Sequence, residues 1–410
     1  MKCIVDDDVV LSRPLEGPLS GYIGEFAKWT REEGYAFLTR QWKVMLAARF
    51  SLWLKRQAAS IRCVSLKHAA RYLRCRARHV LIKRGDYATL RQFIDLLRRQ
   101  GVVPPEKVSR LSPVERVVHG FERYLLDERM LAEVTVANYV PFAREFLVDR
   151  FGSGPLRLSL LSAGDVVRFV QRQAPRLHLK RAKMLTTALR SFLHYARYRG
   201  DIARDLSTAV PTVANWSMPS IPRAIPADAV RQLLASINRR AAMGRRDYAI
   251  LLLLARLGLR GIEVIRLTLE DIDWKAGSLS IQGKGGRRTT LPLPTDVGAA
   301  IAAYLRKGRP QSNSRRLFLR MQAPFRGFIK GAIGTLVRNA LLRAGIKTSP
   351  TRGAHQFRHA LATEMLRHGA SLTEIGEVLS HRNPETSMIY TKVDLDSLRP
   401  LALPWPGDVR

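Results

Sequence analysis

The sequence predicts a mainly α-helical protein with one small β-sheet in its C-terminal third, an α+β chain. Three observations lead there. Apolar residues recur at three- and four-residue spacing through the first two hundred positions. Residues 278–282 and 289–293 read as strands, and Gly283-Lys284-Gly285-Gly286 between them supplies a flexible hairpin turn. From Gly327 onward the helical spacing returns.

Two Pro-containing breaks divide the chain, one through Gly101, Pro104, Pro105 and Pro113, the other through Pro211, Pro219, Pro222 and Pro226. The expected domains are 1–105, 110–205 and 227–410, with 206–226 as a linker, each domain long enough to fold. The first two look like copies of each other. Gly34-Tyr35-Ala36-Phe37-Leu38-Thr39 and Met130-Leu131-Ala132-Glu133-Val134-Thr135 each join one helical pattern to the next. Ser65 to Tyr72 then corresponds to Ser162 to Phe169, and Leu90 to Gly101 corresponds to Leu189 to Gly200. Thr39 and Thr135, Ser65 and Ser162, and Leu90 and Leu189 lie 96, 97 and 99 residues apart, a register drift of only a few residues. Both copies are expected to be compact all-helical units. In the third domain a helix is expected to begin near Asp228, and residues 247–265 read as a helix broken and restarted around Gly258 and Gly261.

Charge narrows the function. Lys and Arg number 69 against 34 Asp and Glu, a formal net charge of +35. A chain this cationic calls for a polyanionic partner, and nucleic acid leads because neutralising phosphates releases condensed counterions. Between Glu33 and Asp86 there is no acidic residue, while Arg40 to Arg84 holds 13 Lys or Arg. These alternate with Trp42, Met45, Leu46, Phe50, Leu52, Trp53 and Leu54, as in an amphipathic helix with one basic face. Fifty residues without a carboxylate is more than a solvated helix face requires. No membrane role is expected, because the most apolar run, Ala249 to Ala255, meets Arg256 far short of a bilayer's width. Asp6, Asp7 and Asp8 stand where a signal peptide would carry positive charge. Cys3, Cys63 and Cys75 show no CxxC spacing, so neither a disulfide framework nor a zinc site is expected. The expected setting is a reducing one, the bacterial cytoplasm with association to the nucleoid on DNA.

Several residues could carry chemistry. Arg260 and Glu263 lie in Leu257-Gly258-Leu259-Arg260-Gly261-Ile262-Glu263, and Lys284 sits in the hairpin turn. His355-Gln356-Phe357-Arg358-His359 opens an apolar helix, followed by Leu379-Ser380-His381 and Met388-Ile389-Tyr390. Each alone has a plain structural explanation: a solvated charge, an exposed turn lysine or a half-buried tyrosine. His355 and His359, four apart, would also suit zinc, but no third ligand is evident.

As an ordered set these residues resemble the tyrosine recombinase, or phage-type integrase, family of mobile-element site-specific recombinases. That family carries an Arg in a G-L-R-x-x-E stretch, a hairpin Lys, an H-x-x-R helix, an L-G-H turn and a nucleophilic Tyr. Here Lys284 follows Arg260 by 24 residues, His381 follows Arg358 by 23, and Tyr390 follows His381 by nine. The likeness is strong from Asp228 to about Leu403 and extends over Pro113 to Gly200, which looks like the family's helical core-binding domain. It reaches the first hundred residues only through the internal repeat. Ser380 departs from the pattern, standing where the family has Gly.

The resemblance implies a recombinase that cuts and rejoins DNA through a 3′-phosphotyrosyl link to Tyr390, without metal, cofactor or ATP. Arg260, Arg358 and His381 would bind the phosphate, Lys284 would protonate the leaving 5′ oxygen, and His355 would assist proton transfer at the tyrosine. Glu263 would orient Arg260 or its helix, and His359 would support the site or contact DNA. Double-stranded DNA is the implied partner, with a homo-oligomer of two to four subunits on it. Sibling recombinases are a further possible partner. Leu395, Leu398, Leu401, Leu403 and Trp405 form a tail that would dock on a neighbouring subunit or on its own domain. Other readings stay open: a non-cleaving architectural protein, a type IB topoisomerase or telomere resolvase, and a metal-dependent transposase or nuclease. The last would need clustered carboxylates, and the third domain offers no persuasive set.

Overall fold

The computed structural model describes residues 3–6, 9–11, 14–105, 111–152, 154–214, 224–283, 286, 288–346, 353–380 and 384–393. The fold is mostly helical with a small three-stranded sheet, as the spacing predicts. Two compact units form, one of Met1–Pro105 with Ser220–Arg410, the other of Glu106–Pro219. Lys284, His381 and the tail from 394 onward lie outside the described residues.

The first unit opens on an antiparallel ribbon, β1 (Cys3–Asp6) and β2 (Val9–Leu11). This corrects the all-helical expectation for the first copy. Val9 and Leu11 are buried, and a two-stranded ribbon that is marginal alone is stabilised by such packing. Four helices follow: α1 (Ile23–Glu32), α2 (Phe37–Arg56), α3 (Leu66–Arg76) and α4 (Asp86–Arg99). Phe26, Phe50 and Phe93 are fully buried at their centre, with the Phe26 and Phe93 rings 4.8 Å apart.

Between α1 and α2 the chain turns at Gly34, whose φ of +81° lies in the left-handed region. There the N-terminal helices meet the C-terminal part of the same unit. Phe325 places its ring over Gly34 and donates its backbone N–H to the Glu33 carbonyl (3.2 Å), while Arg326 pairs with the Glu33 carboxylate.

The expectation of an amphipathic helix with one basic face needs a second correction. Arg40 and Lys43 are buried, because α2 packs against α1, α4 and the ribbon and only part of its surface meets water. Lys43 Nζ donates to Thr89 Oγ1 (3.1 Å) and Gln92 Oε1 (2.8 Å) and lies 4.4 Å from the centroid of the Tyr35 ring. Burial pulls its pKa down to about 8. Arg49, Arg56, Arg62, Lys67, Arg71 and Arg74 are exposed, so a dense cationic surface does remain.

The second unit is built from α5 (Pro113–Arg123), α6 (Glu133–Phe151), α7 (Ala163–Gln173) and α8 (Leu179–Tyr198). Ser112 caps α5 by accepting from the Glu115 N–H (3.1 Å), and Ser162 with Asp165 forms a capping box on α7. Phe121, Phe146, Phe169 and Phe192 fill its core, Phe121 meeting Phe192 edge to face at 5.4 Å.

The C-terminal part of the first unit holds α9 (Ala227–Ala235), α10 (Ala242–Leu257) and α11 (Gly261–Arg266), the last two separated at Gly258. Then come β3 (Ile272–Asp273), β4 (Ser278–Gln282) and β5 (Arg288–Pro292), antiparallel in that order, with Leu279 opposite Leu291 and Ser280 opposite Thr290. The two-residue β3 is too short to show as an alternating pattern. Helices α12 (Thr295–Lys307), α13 (Ala332–Arg343), α14 (His355–Arg367) and α15 (Leu372–Val378) complete it, with a 3₁₀ segment at Pro384–Val393. Ile250 to Leu254 of α10 are buried on every side, so this helix is the axis of the core. Ala362, Ile375, Leu379 and Tyr390 form a smaller core under α14 and α15. Among the described residues, no helix is long and apolar enough to cross a membrane.

Candidate active site

The site begins where α10 stops. Gly258 takes φ +59°, and a Cβ there would lie 2.8 Å from Leu379 Cδ2 and 3.0 Å from Leu361 Cδ2. Only glycine meets both demands. The chain then re-enters helix with Arg260 at the cap position of α11. Glu263, three residues on and 4% exposed, accepts from the Arg260 backbone N–H through Oε2 (2.7 Å) and from Arg260 Nη1 through Oε1 (2.7 Å). One carboxylate thus caps the helix and fixes the guanidinium, whose side chain keeps 28% of its surface exposed.

Arg358 comes from the first turn of α14 and is 4% exposed. Its Nη1 donates to the Gly258 carbonyl (3.0 Å) and its Nη2 to the Leu379 carbonyl. Those carbonyls lie at the C-terminal ends of α10 and α15, where partial negative charge favours a cation. Two of its five N–H donors are used this way. Burial first, then the nearby Arg260, lowers its pKa to about 10, opposed by Glu263 and Tyr390, so it stays charged at neutral pH.

Tyr390 is 2% exposed and packs on Ala362, Ile375 and Leu379. Burial raises its pKa above the ordinary phenol value, while Arg358 and Arg260 both pull it down. Its hydroxyl is 3.2 Å from His359 Nδ1, and the two rings meet edge to face with centroids 5.7 Å apart. His359 is half-buried; burial, then His355 and Arg358, lower its pKa to about 4, so the ring is neutral at pH 7. His355, one turn earlier and exposed, has its ring centroid 5.7 Å from that of His359. Among the described residues no group of three His, Cys, Asp or Glu could hold a metal ion.

Arg358, Glu263, Leu259, Gly283, Thr289 and Ser380 line one small cleft, which joins the hairpin to the ends of α11 and α15. Ser380 has φ +50°, a left-handed conformation that glycine adopts without strain. Of the residues singled out in the sequence, Arg260, Glu263, Arg358, His359 and Tyr390 come together, with His355 at the edge. The contact between His359 and Tyr390 is not in the sequence expectation. Its one signal there is the four-residue spacing that sets His359 on the same helix face as His355.

Comparisons with known proteins identify the family. The model of the phage integrase family matches residues 223–396. The chain is 52% identical over 413 residues to the integrase/recombinase y4rA of Sinorhizobium fredii, covering 100% of both proteins. It is 27% identical over 284 residues to the tyrosine recombinase XerD of Listeria monocytogenes, covering 68% of this chain and 94% of that one. Among solved structures, the site-specific recombinase XerH bound to palindromic difH substrate, a post-cleavage complex, shares the fold with a TM-score of 0.56 at 16% identity. That match covers 96% of this chain and 99% of the other. With full-length identity this high and the family model spanning Arg260 to Tyr390, the chain belongs to the phage integrase family, the tyrosine-type site-specific recombinases.

Proposed function

We propose that this recombinase cuts and rejoins double-stranded DNA through a 3′-phosphotyrosyl bond to Tyr390, with no metal and no ATP. The observation that carries the reading is the pair of guanidiniums, Arg260 and Arg358, whose fields both act on the Tyr390 phenol. A phosphodiester is an anion, and attack on it concentrates charge on the non-bridging oxygens. Two planar forks of donors held in place by Glu263 and by the carbonyls of Gly258 and Leu379 stabilise that charge without rearranging. Tyr390 Oη forms the new bond to phosphorus as the 5′ oxygen departs. Lys284 follows Gly283, which lines the cleft, and serves as the acid for that oxygen. His381 adds a hydrogen bond to the phosphate, and His355 serves proton transfer near the tyrosine. The phosphotyrosine keeps the energy of the broken bond, so another 5′ hydroxyl reverses the step.

The exposed cations of α2 and α3 extend the DNA contact, and two to four subunits, alone or with sibling recombinases, assemble on the duplex. XerH bound to its difH substrate supports this reading by analogy of fold. The reaction belongs to the cytoplasm, on chromosomal or mobile-element DNA. The test is covalent trapping on nicked duplex in EDTA. Mass spectrometry is expected to find DNA on Tyr390, and Tyr390→Phe to abolish the adduct while retaining DNA affinity. A metal requirement, or an adduct elsewhere, refutes the proposal.

A further inference from the structure

We propose that His359 takes the proton of Tyr390 as the phenol attacks, and that an occupied phosphate site is what makes it basic enough to do so. This rests on the phosphotyrosyl reading and assigns one group within it.

The geometry comes first. His359 Nδ1 stands 3.2 Å from Tyr390 Oη, within the reach of a general base, and the edge-to-face ring contact fixes the approach. At 2% exposure Tyr390 is shielded from bulk water, and His359 is within reach of its proton. His355 is exposed, with its ring centroid 5.7 Å from that of His359. With the neutral imidazole protonated on Nε2, Nδ1 accepts the hydrogen bond from the Tyr390 hydroxyl.

The charges around His359 set the timing. His355 and Arg358 act on it from α14, Tyr390 lies against its ring, and Arg260 and Glu263 on α11 act on Arg358. Without DNA, burial first, then His355 and Arg358, oppose a positive charge on the His359 ring, and the proton stays on the phenol. A phosphodiester seated on the guanidiniums brings one negative charge, rising toward two in the transition state. That charge reverses the balance and favours the imidazolium. The nucleophile is therefore kept protonated until there is something to attack.

The step balances. The Oη–phosphorus bond forms, the Oη proton moves to Nδ1, and the phosphorus–O5′ electron pair leaves with the 5′ oxygen, which takes a proton from Lys284. On rejoining, the incoming 5′ hydroxyl gives its proton to Lys284, and departing Oη recovers its own from His359.

The experiment uses the full chain and duplexes selected from a random-sequence pool by Tyr390→Phe protein, then nicked at successive central positions. His359→Asn places an amide where Nδ1 stood, able to accept a hydrogen bond but not a proton. Its adduct formation is expected to fall about 10²- to 10⁴-fold with DNA affinity unchanged. A bridging 5′-sulfur leaving group, which needs no acid, should restore Lys284→Ala and not His359→Asn. His359→Phe, which keeps the ring, is the second variant should Asn fail to bind DNA. The parent's single-turnover rate should rise with pH through the imidazole range. A flat rate from pH 4.5 to 8, adduct formation by His359→Asn within threefold of the parent, or its restoration by the sulfur substrate each overturns the proposal. If the parent's adduct still maps to Tyr390, only the role of His359 falls. If the parent forms no Tyr390 adduct, the phosphotyrosyl reading falls and the role of His359 with it.

Discussion

Replacing Gly258 with alanine tests how the end of α10 is tied to the site, and Gly277 supplies its control. Both have nearly the same φ, +59° and +60°, but Gly277 has nothing within 4 Å of where a Cβ would stand. At Gly277 the change therefore carries a backbone term only. A left-handed alanine costs about 1–2 kcal/mol, and the stiffer unfolded chain offsets about 0.4–1 kcal/mol of that. At Gly258 the new methyl must also displace Leu379 Cδ2 from 2.8 Å and Leu361 Cδ2 from 3.0 Å. Overpacking of that kind costs about 1–3 kcal/mol. Gly258→Ala should thus lose about 1–3 kcal/mol more than Gly277→Ala, or roughly 2–12 °C in Tm for a domain of this size. Leu379 and Gly258 also supply the carbonyls that hold Arg358, so displacing them disturbs the phosphate site as well as the core. Thermal unfolding and adduct formation are measured on both variants. Equal Tm losses, or parent-like adduct formation by Gly258→Ala, would refute the argument.

Two further changes test strain and burial. Ser380→Gly removes a left-handed serine at φ +50° and should stabilise the fold by up to about 1 kcal/mol, seen as a small rise in Tm with cleavage retained; a lower Tm would show that the hydroxyl or Cβ makes a needed contact. Lys43→Met tests the buried ammonium. Its folded pKa of about 8 lies below the ordinary 10.5, so between those values the unfolded chain binds the extra proton and stability rises with pH. Below about pH 8 both states are protonated and the penalty is full. The Tm of the parent should therefore gain on that of Lys43→Met from pH 8 to pH 10, and a constant difference would contradict it.

What could be read from the sequence was local. The break at Gly258, the hairpin around Gly283 and the Arg260–Glu263 spacing each depend on residues within a few positions of one another, and all three are where the spacing puts them. The burial of Arg40 and Lys43 could not be read the same way. Their charge argues for solvent, and only the packing of α1, α4 and the ribbon around α2 decides otherwise. The site divides along the same line. His359 is placed on the His355 face by helical period alone, but Tyr390 is 31 residues further on. It reaches that face because Ile375 and Leu379 of the α15 region pack against Ala362 of α14 and fold the chain back. The contact that prepares the nucleophile is thus set by a small apolar core. Weakening that core should separate phenol from imidazole before it unfolds the rest of the chain, since Phe357 and the leucines of α10 belong to a different cluster.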